Sequence, residues 1–173
     1  LIMNRGEYDT NLRSLQHAIE QGWTIVSIEP KRLSEITVLP EPQGDIEAMT
    51  LAKVEESLAA GHDFALDLEE SRNPPLVIGC YVANPINEIV TPTAQMGDWV
   101  FKYFEMPGDH QVLAQLLKPS IVWDYEVYFD KGVVWLPPCT NPQTGCTCEW
   151  VGGLALHEIP LVDISESLFS LVD

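Results

Sequence analysis

The stretch Ile121-Val122-Trp123-Asp124-Tyr125-Glu126-Val127-Tyr128-Phe129-Asp130-Lys131-Gly132-Val133-Val134-Trp135-Leu136 carries the strongest fold signal in the chain. Two β-branched and aromatic runs flank Asp130-Lys131-Gly132, where Gly132 can supply a positive φ, so the spacing predicts a β-hairpin over 121–136. In that register Trp123, Tyr125, Val127 and Phe129 share a face with Val133 and Trp135, and Asp124 and Glu126 point the other way. So much aromatic area on one face asks for a core-facing sheet.

Toward the N-terminus, Asp109 can cap a helix carrying Val112, Leu113, Leu116 and Leu117, stopped by Pro119. Residues 85–97 read as irregular, and the aromatic-rich 98–105 fits helix or strand equally. Asp63–Glu69 alternates, with Phe64, Leu66 and Leu68 on one face, and Leu76–Val82 is a more apolar strand with which it could form a long-looped hairpin. A second helix is expected from Asp45, bearing Leu51, Val54 and Leu58 and ending at Gly61. A first helix is expected from Asp9 to Gln21, with Leu12, Leu15 and Ile19 inward, followed by a short strand, Trp23–Ile28. Beyond the hairpin, Leu154–Ile159 reads as a further strand, and Asp163 with Glu166 begins a final helix bearing Ile164, Leu168 and Val172.

Helices and strands are interspersed without a βα repeat, and the hairpin implies antiparallel pairing. The expected fold is therefore α+β: one compact domain over residues 1–173, with a mainly antiparallel sheet and three to four helices. At 173 residues, with 46% hydrophobic and 20% charged residues, the chain can bury a core without a disulfide or metal. It contains no apolar run of the ~20 residues needed to span a bilayer, and no basic segment leading an apolar stretch and cleavage site, so a cytoplasmic protein without membrane contact is expected. A start at Leu1 leaves room for residues upstream.

Charge narrows function further. With 9 Lys+Arg against 26 Asp+Glu the net charge is −17, a field that repels phosphate backbones and argues against direct nucleic-acid binding. Such a surface keeps a protein soluble, and it can also meet a basic protein partner. The most economical functional reading is a non-enzymatic acidic interaction module of the inhibitor, immunity or nucleic-acid-mimic kind. Glu47, Glu55, Glu56, Asp67, Glu69 and Glu70 would then steer association.

Two alternatives rest on other residues. Asp63, Asp67, Asp124 and Glu126 could converge as oxygen ligands or as an acid–base pair in a metal-dependent hydrolase, although the basic residues that would hold a phosphoester are scarce. Cys139, Cys146 and Cys148, with His157 or Cys80 as the fourth ligand, could form a zinc site in a small adaptor domain. The gaps between those cysteines do not match the paired ligand spacing of structural zinc sites, and free loop thiols are the favoured account of them, ahead of zinc or a disulfide such as Cys139 to Cys146. Zinc, or no cofactor at all, is the resulting expectation. Nucleophile-elbow, Walker, dinucleotide-binding and His-Glu-x-x-His patterns are absent, and no stretch matches a family signature.

Overall fold

A computed structural model describes residues 3–28, 49–118, 124–141 and 144–165. Helix α1 (Arg5–Glu20) begins four residues before the expected Asp9, because Asn4 Oδ1 accepts from the Glu7 amide at 2.8 Å and Glu7 complements the N-terminal dipole. Its buried face is Asn11, Ser14, Leu15 and Ala18, with Asn11 at the edge of that face, while Leu12 and Ile19 pack at the margin of the core. Two of these four inward positions are polar, which is why apolar periodicity misplaces the stripe by one residue. Gly22 ends the turn at φ 95°, and a Cβ there would stand 3.0 Å from the Cβ of Arg72. Strand β1 (Thr24–Ile28) follows, then helix α2 (Leu51–Ala59), which starts at Leu51 after Thr50; Asp45 lies outside the described residues.

The chain then lays down β2 (Asp63–Asp67), β3 (Leu76–Tyr81), a 3-10 turn at Pro85–Glu88, β4 (Thr93–Met96) and β5 (Trp99–Glu105). Helix α3 (His110–Leu116), β6 (Tyr125–Tyr128), β7 (Val133–Leu136), β8 (Cys139–Thr140), β9 (Thr147–Trp150) and β10 (Val162–Asp163) complete it. The undecided 98–105 segment is thus a strand. Residues 154–159 form turns instead of the expected strand, closed by Leu154 N to Val151 O and Glu158 N to Ala155 O, both 2.9 Å. The final helix is described only at its start, where Asp163 Oδ1 accepts from the Ser165 amide at 2.9 Å.

Two sheets result. A three-stranded sheet has the order β1-β2-β7, and a larger one runs β6-β3-β5-β4-β9-β8 with β10 added parallel to β5. Every other pairing is antiparallel, so the chain is the α+β fold with a mainly antiparallel sheet that its pattern predicts.

Both expected hairpins are corrected. β6 pairs with β3 and β7 with β2, so these two strands do not close on each other and the chain crosses between sheets at Asp130–Gly132; residues 121–123 of the expected hairpin lie outside the described residues. The two halves have different needs. β6 alternates, sending Tyr125 and Val127 toward α3, where the Tyr125 hydroxyl donates to Leu116 O at 2.8 Å. In β7, Val134, Trp135 and Leu136 are buried in succession, as in a strand covered on both faces. Strands β2 and β3 separate in the same way, one into each sheet.

One face of the large sheet, including Val77, Ala94, Phe101, Tyr103 and Cys148, joins the small sheet, α1 and α2 in a single apolar cluster. The opposite face, including Leu76, Ile78, Cys80, Val100 and Phe104, packs against Val112 and Leu116 of α3, Ile86 and Ile164. Lys102 is buried on this second face. Its Nζ donates to Thr93 Oγ1 at 2.9 Å and to both Asn87 O and Asn87 Oδ1 at 3.2 Å, tying the 3-10 turn to the sheet. Burial lowers its pKa to about 8, against a smaller opposing effect of the Cys80 thiolate.

Candidate functional site

A cleft of about 340 Å³ opens between the first half of α1 and the β8–β9 hairpin. Asn4, Glu7, Thr10 and Asn11 line one wall, Pro138, Thr147, Glu149 and Trp150 the other, and Gly152, Gly153 and Glu158 close one side. The helical wall is polar because α1 turns its Asn11 edge inward, and the sheet wall is apolar at Trp150, whose ring tilts against Tyr103 with 5.4 Å between centroids. The Glu158 carboxylate accepts from the Ala155 amide at 3.1 Å and so fixes the turn beside the cleft.

Behind that turn, buried Ser14 on α1 meets Nδ1 of His157, 2.8 Å from Oγ. Burial lowers the His157 pKa; the Glu158 carboxylate opposes this, and Arg13 and His17 reinforce it. A neutral imidazole fixed at one nitrogen by a hydroxyl is therefore held next to the cleft residue Glu158. Periodicity could not reveal this pair, since its members lie 143 residues apart in sequence.

Asp63 lies outside the cleft lining and ties β2 to β8. Its carboxylate accepts from the Thr140 amide at 2.8 Å, and the next residue, Phe64, donates its amide to Pro138 O at 3.2 Å, so β2 is zipped to β8. Burial pushes the Asp63 pKa up to about 6, partly offset by the Thr140 hydrogen bond.

The four candidate catalytic acids do not share one cleft. Asp67 lies at the opposite end of β2, where its carboxylate accepts from the Glu70 amide at 3.3 Å. Asp124 and Glu126 lie at the start of β6 in the other sheet; Glu126 accepts from the Tyr128 hydroxyl. The period-2 alternation that suggests a shared acidic face belongs to strands of different sheets.

The five residues considered for zinc do not come together as one site either. Cys139 and Cys148 face each other across β8 and β9, and both are buried. Cys139 is pushed well up by burial, with its hydrogen-bonded neighbour Cys148 and then Asp63 adding to the effect. Cys146 is half-buried in the turn before β9, His157 is engaged by Ser14, and Cys80 belongs to the cluster on the far face of the large sheet. Among the described residues no group of three or more His, Cys, Asp or Glu could hold a metal ion. Of the acids assigned to partner docking, Glu55, Glu56, Glu69 and Glu70 are exposed and Asp67 is half-buried, whereas Glu47 lies outside the described residues.

No family model matches the chain, and no curated protein matches it. Among solved structures it is similar to the AEP domain (PP-N190) of the cyanophage S-2L primase-polymerase (PrimPol), with a TM-score of 0.51 and 14% identity over 96% of this chain and 97% of that one. The shared property is the fold, across nearly the whole length of both chains. This likeness corrects the reading of the chain as a non-enzymatic acidic module. Charge asymmetry describes the surface, whereas the fold beneath it is similar to that of the primase-polymerase domain. Among the described residues no helix is long and apolar enough to cross a membrane.

Proposed function

We propose that this chain is an enzyme domain acting on nucleotides, of the nucleotidyl-transfer class, with the cleft beside α1 as its nucleotide site. The observation that carries this reading is the fold likeness to a primase-polymerase domain, which spans 96% of this chain and 97% of the other. The cleft adds support: about 340 Å³ is within the size range of small-molecule sites, and an apolar wall faced by a few polar groups is their usual lining. In such a site Trp150 offers an apolar surface to a base, and Thr10 and Asn11 offer hydrogen bonds to base or ribose.

In nucleotidyl transfer a hydroxyl gives up its proton to solvent as its oxygen attacks the α-phosphorus, a new P–O bond forms, and pyrophosphate leaves with the electron pair of the broken P–O bond. Polymerases support this step with paired metal ions. Among the described residues no group of three or more His, Cys, Asp or Glu could hold a metal ion, and in this reading the cleft residues bind and orient the base and ribose. The net charge of −17 and the cleft acids Glu7, Glu149 and Glu158 set the electrostatic terms. A free nucleotide whose phosphates are neutralised by a divalent cation suits this field better than a bare polyphosphate or a nucleic-acid backbone.

The test is titration of the chain with ATP and dATP in the presence of Mg²⁺, followed by tryptophan fluorescence, alongside incorporation of labelled nucleotide on a single-stranded template. Saturable binding weakened by Asn11→Ala and Trp150→Leu is expected. Absence of both binding and incorporation would overturn the reading.

A further inference from the structure

Where β3 ends and β5 begins, three strands bring an aromatic corner and an acidic rim together. Tyr81 and Trp99 are direct partners across β3 and β5, with ring centroids 5.0 Å apart and planes at 83°. The indole lies over Gly79: a Cβ on that glycine would stand 2.7 Å from Nε1 and 3.0 Å from Cζ2. The absence of a side chain there is what lets the ring settle against the sheet. Tyr81 is 53% exposed and Trp99 half-buried, so these rings are not absorbed into the core as Phe101 and Tyr103 are on the same face.

Two perpendicular rings in contact leave a corner with one π-face on each side, and π-faces are the negative ends of the ring quadrupoles. The next strand contributes Glu126, the partner of Gly79 across β3 and β6, exposed and accepting a hydrogen bond from the Tyr128 hydroxyl. Exposed Asp98, immediately before Trp99, and exposed Asp124, two residues before Glu126, lie at the same end of the sheet. The chain as a whole adds a field of −17. Aromatic faces, an exposed carboxylate and a negative surround are complementary to a diffuse organic cation and not to an anion.

We infer that the corner formed by Tyr81, Trp99 and Glu126 is a binding site for a small organic cation of the alkylammonium class. It shares no residue with the cleft and stands independently of the nucleotide reading.

Choline is a suitable probe, with 3,3-dimethyl-1-butanol, its uncharged isostere, as the control for shape. Titrations of the whole chain at low ionic strength, followed by tryptophan fluorescence and by line broadening of the choline methyl protons, should show saturable choline binding. The isostere should bind roughly tenfold more weakly. Tyr81→Leu and Glu126→Gln alter exposed side chains and should each weaken choline severalfold, with circular dichroism unchanged. Failure of choline to bind, equal binding of the isostere, or indifference to both substitutions would overturn the proposal. Preferential binding of a neutral nucleoside at the same corner would overturn it in favour of base stacking.

Discussion

Asp63→Asn is expected to make the protein more stable at neutral pH, against the usual outcome of altering a buried, hydrogen-bonded residue. Asp63 is 8% exposed and accepts from the Thr140 amide, yet burial outweighs that bond and holds its pKa at about 6. The folded state therefore retains a proton that the unfolded chain, at 3.8, releases earlier. Between those values the folded state binds more protons, so this residue's contribution to stability is fully present below pH 3.8 and lost as pH rises through about 6. The separation corresponds to about 3 kcal/mol, or about 2 kcal/mol once residual solvent screening is allowed for. An asparagine keeps the carbonyl oxygen for Thr140 and carries no charge to desolvate. Chemical denaturation of both proteins from pH 4 to pH 7 should show the difference growing in favour of the Asp63→Asn variant by about 2 kcal/mol. A difference independent of pH, or one that grows in favour of aspartate, would refute the reasoning that burial governs this carboxyl.

Three further outcomes follow from the same packing. Lys102 has a lowered folded pKa of about 8, so its contribution is fully present above 10.5 and lost as pH falls through 8; wild type should gain stability relative to Lys102→Met between pH 8 and pH 10, read by denaturant midpoints. Gly79→Ala places a Cβ 2.7 Å from Trp99 Nε1, and should cost about 1–3 kcal/mol while shifting the tryptophan emission as the indole is displaced. Ser14→Ala removes the hydroxyl beside His157 Nδ1 and should cost about 1 kcal/mol, with the His157 imidazole protons broadened in NMR spectra as its orientation is released.

Local features are legible in the sequence, and the long-range ones much less so. Alternation and turn chemistry locate β2, β3, β6 and β7 within a few residues, and Asp109 caps α3 as its position implies, its carboxylate accepting from the Gln111 amide at 2.8 Å. Neighbours in sequence are not neighbours in the sheet for β6–β7 or for β2–β3, and there the inference from order to pairing fails. Asp130–Gly132 has suitable hairpin residues, with φ 60° at Asp130 and 84° at Gly132, but the same conformations serve a crossing between sheets. The apolar run Val134-Trp135-Leu136, buried in succession, is the available warning, since a half-exposed hairpin strand would alternate.

The candidate site is hidden for a related reason. Asn11 and Ser14 occupy inward positions that an apolar pattern discards, and His157 acquires its role from a contact with α1. Asp63 stands in the sequence as one of several strand acids, and only its burial at the β2–β8 junction distinguishes it from Asp67, four residues along the same strand. The charge of −17 is legible at once, yet it describes the surface and not the fold beneath it.

The most direct test of the nucleotide reading is calorimetric titration of the whole chain with dATP and Mg²⁺, comparing wild type with Trp150→Leu. The cleft predicts saturable one-to-one binding that the substitution weakens. No heat of binding across the accessible concentration range, or binding indifferent to Trp150, would contradict the assignment of this cleft as the nucleotide site.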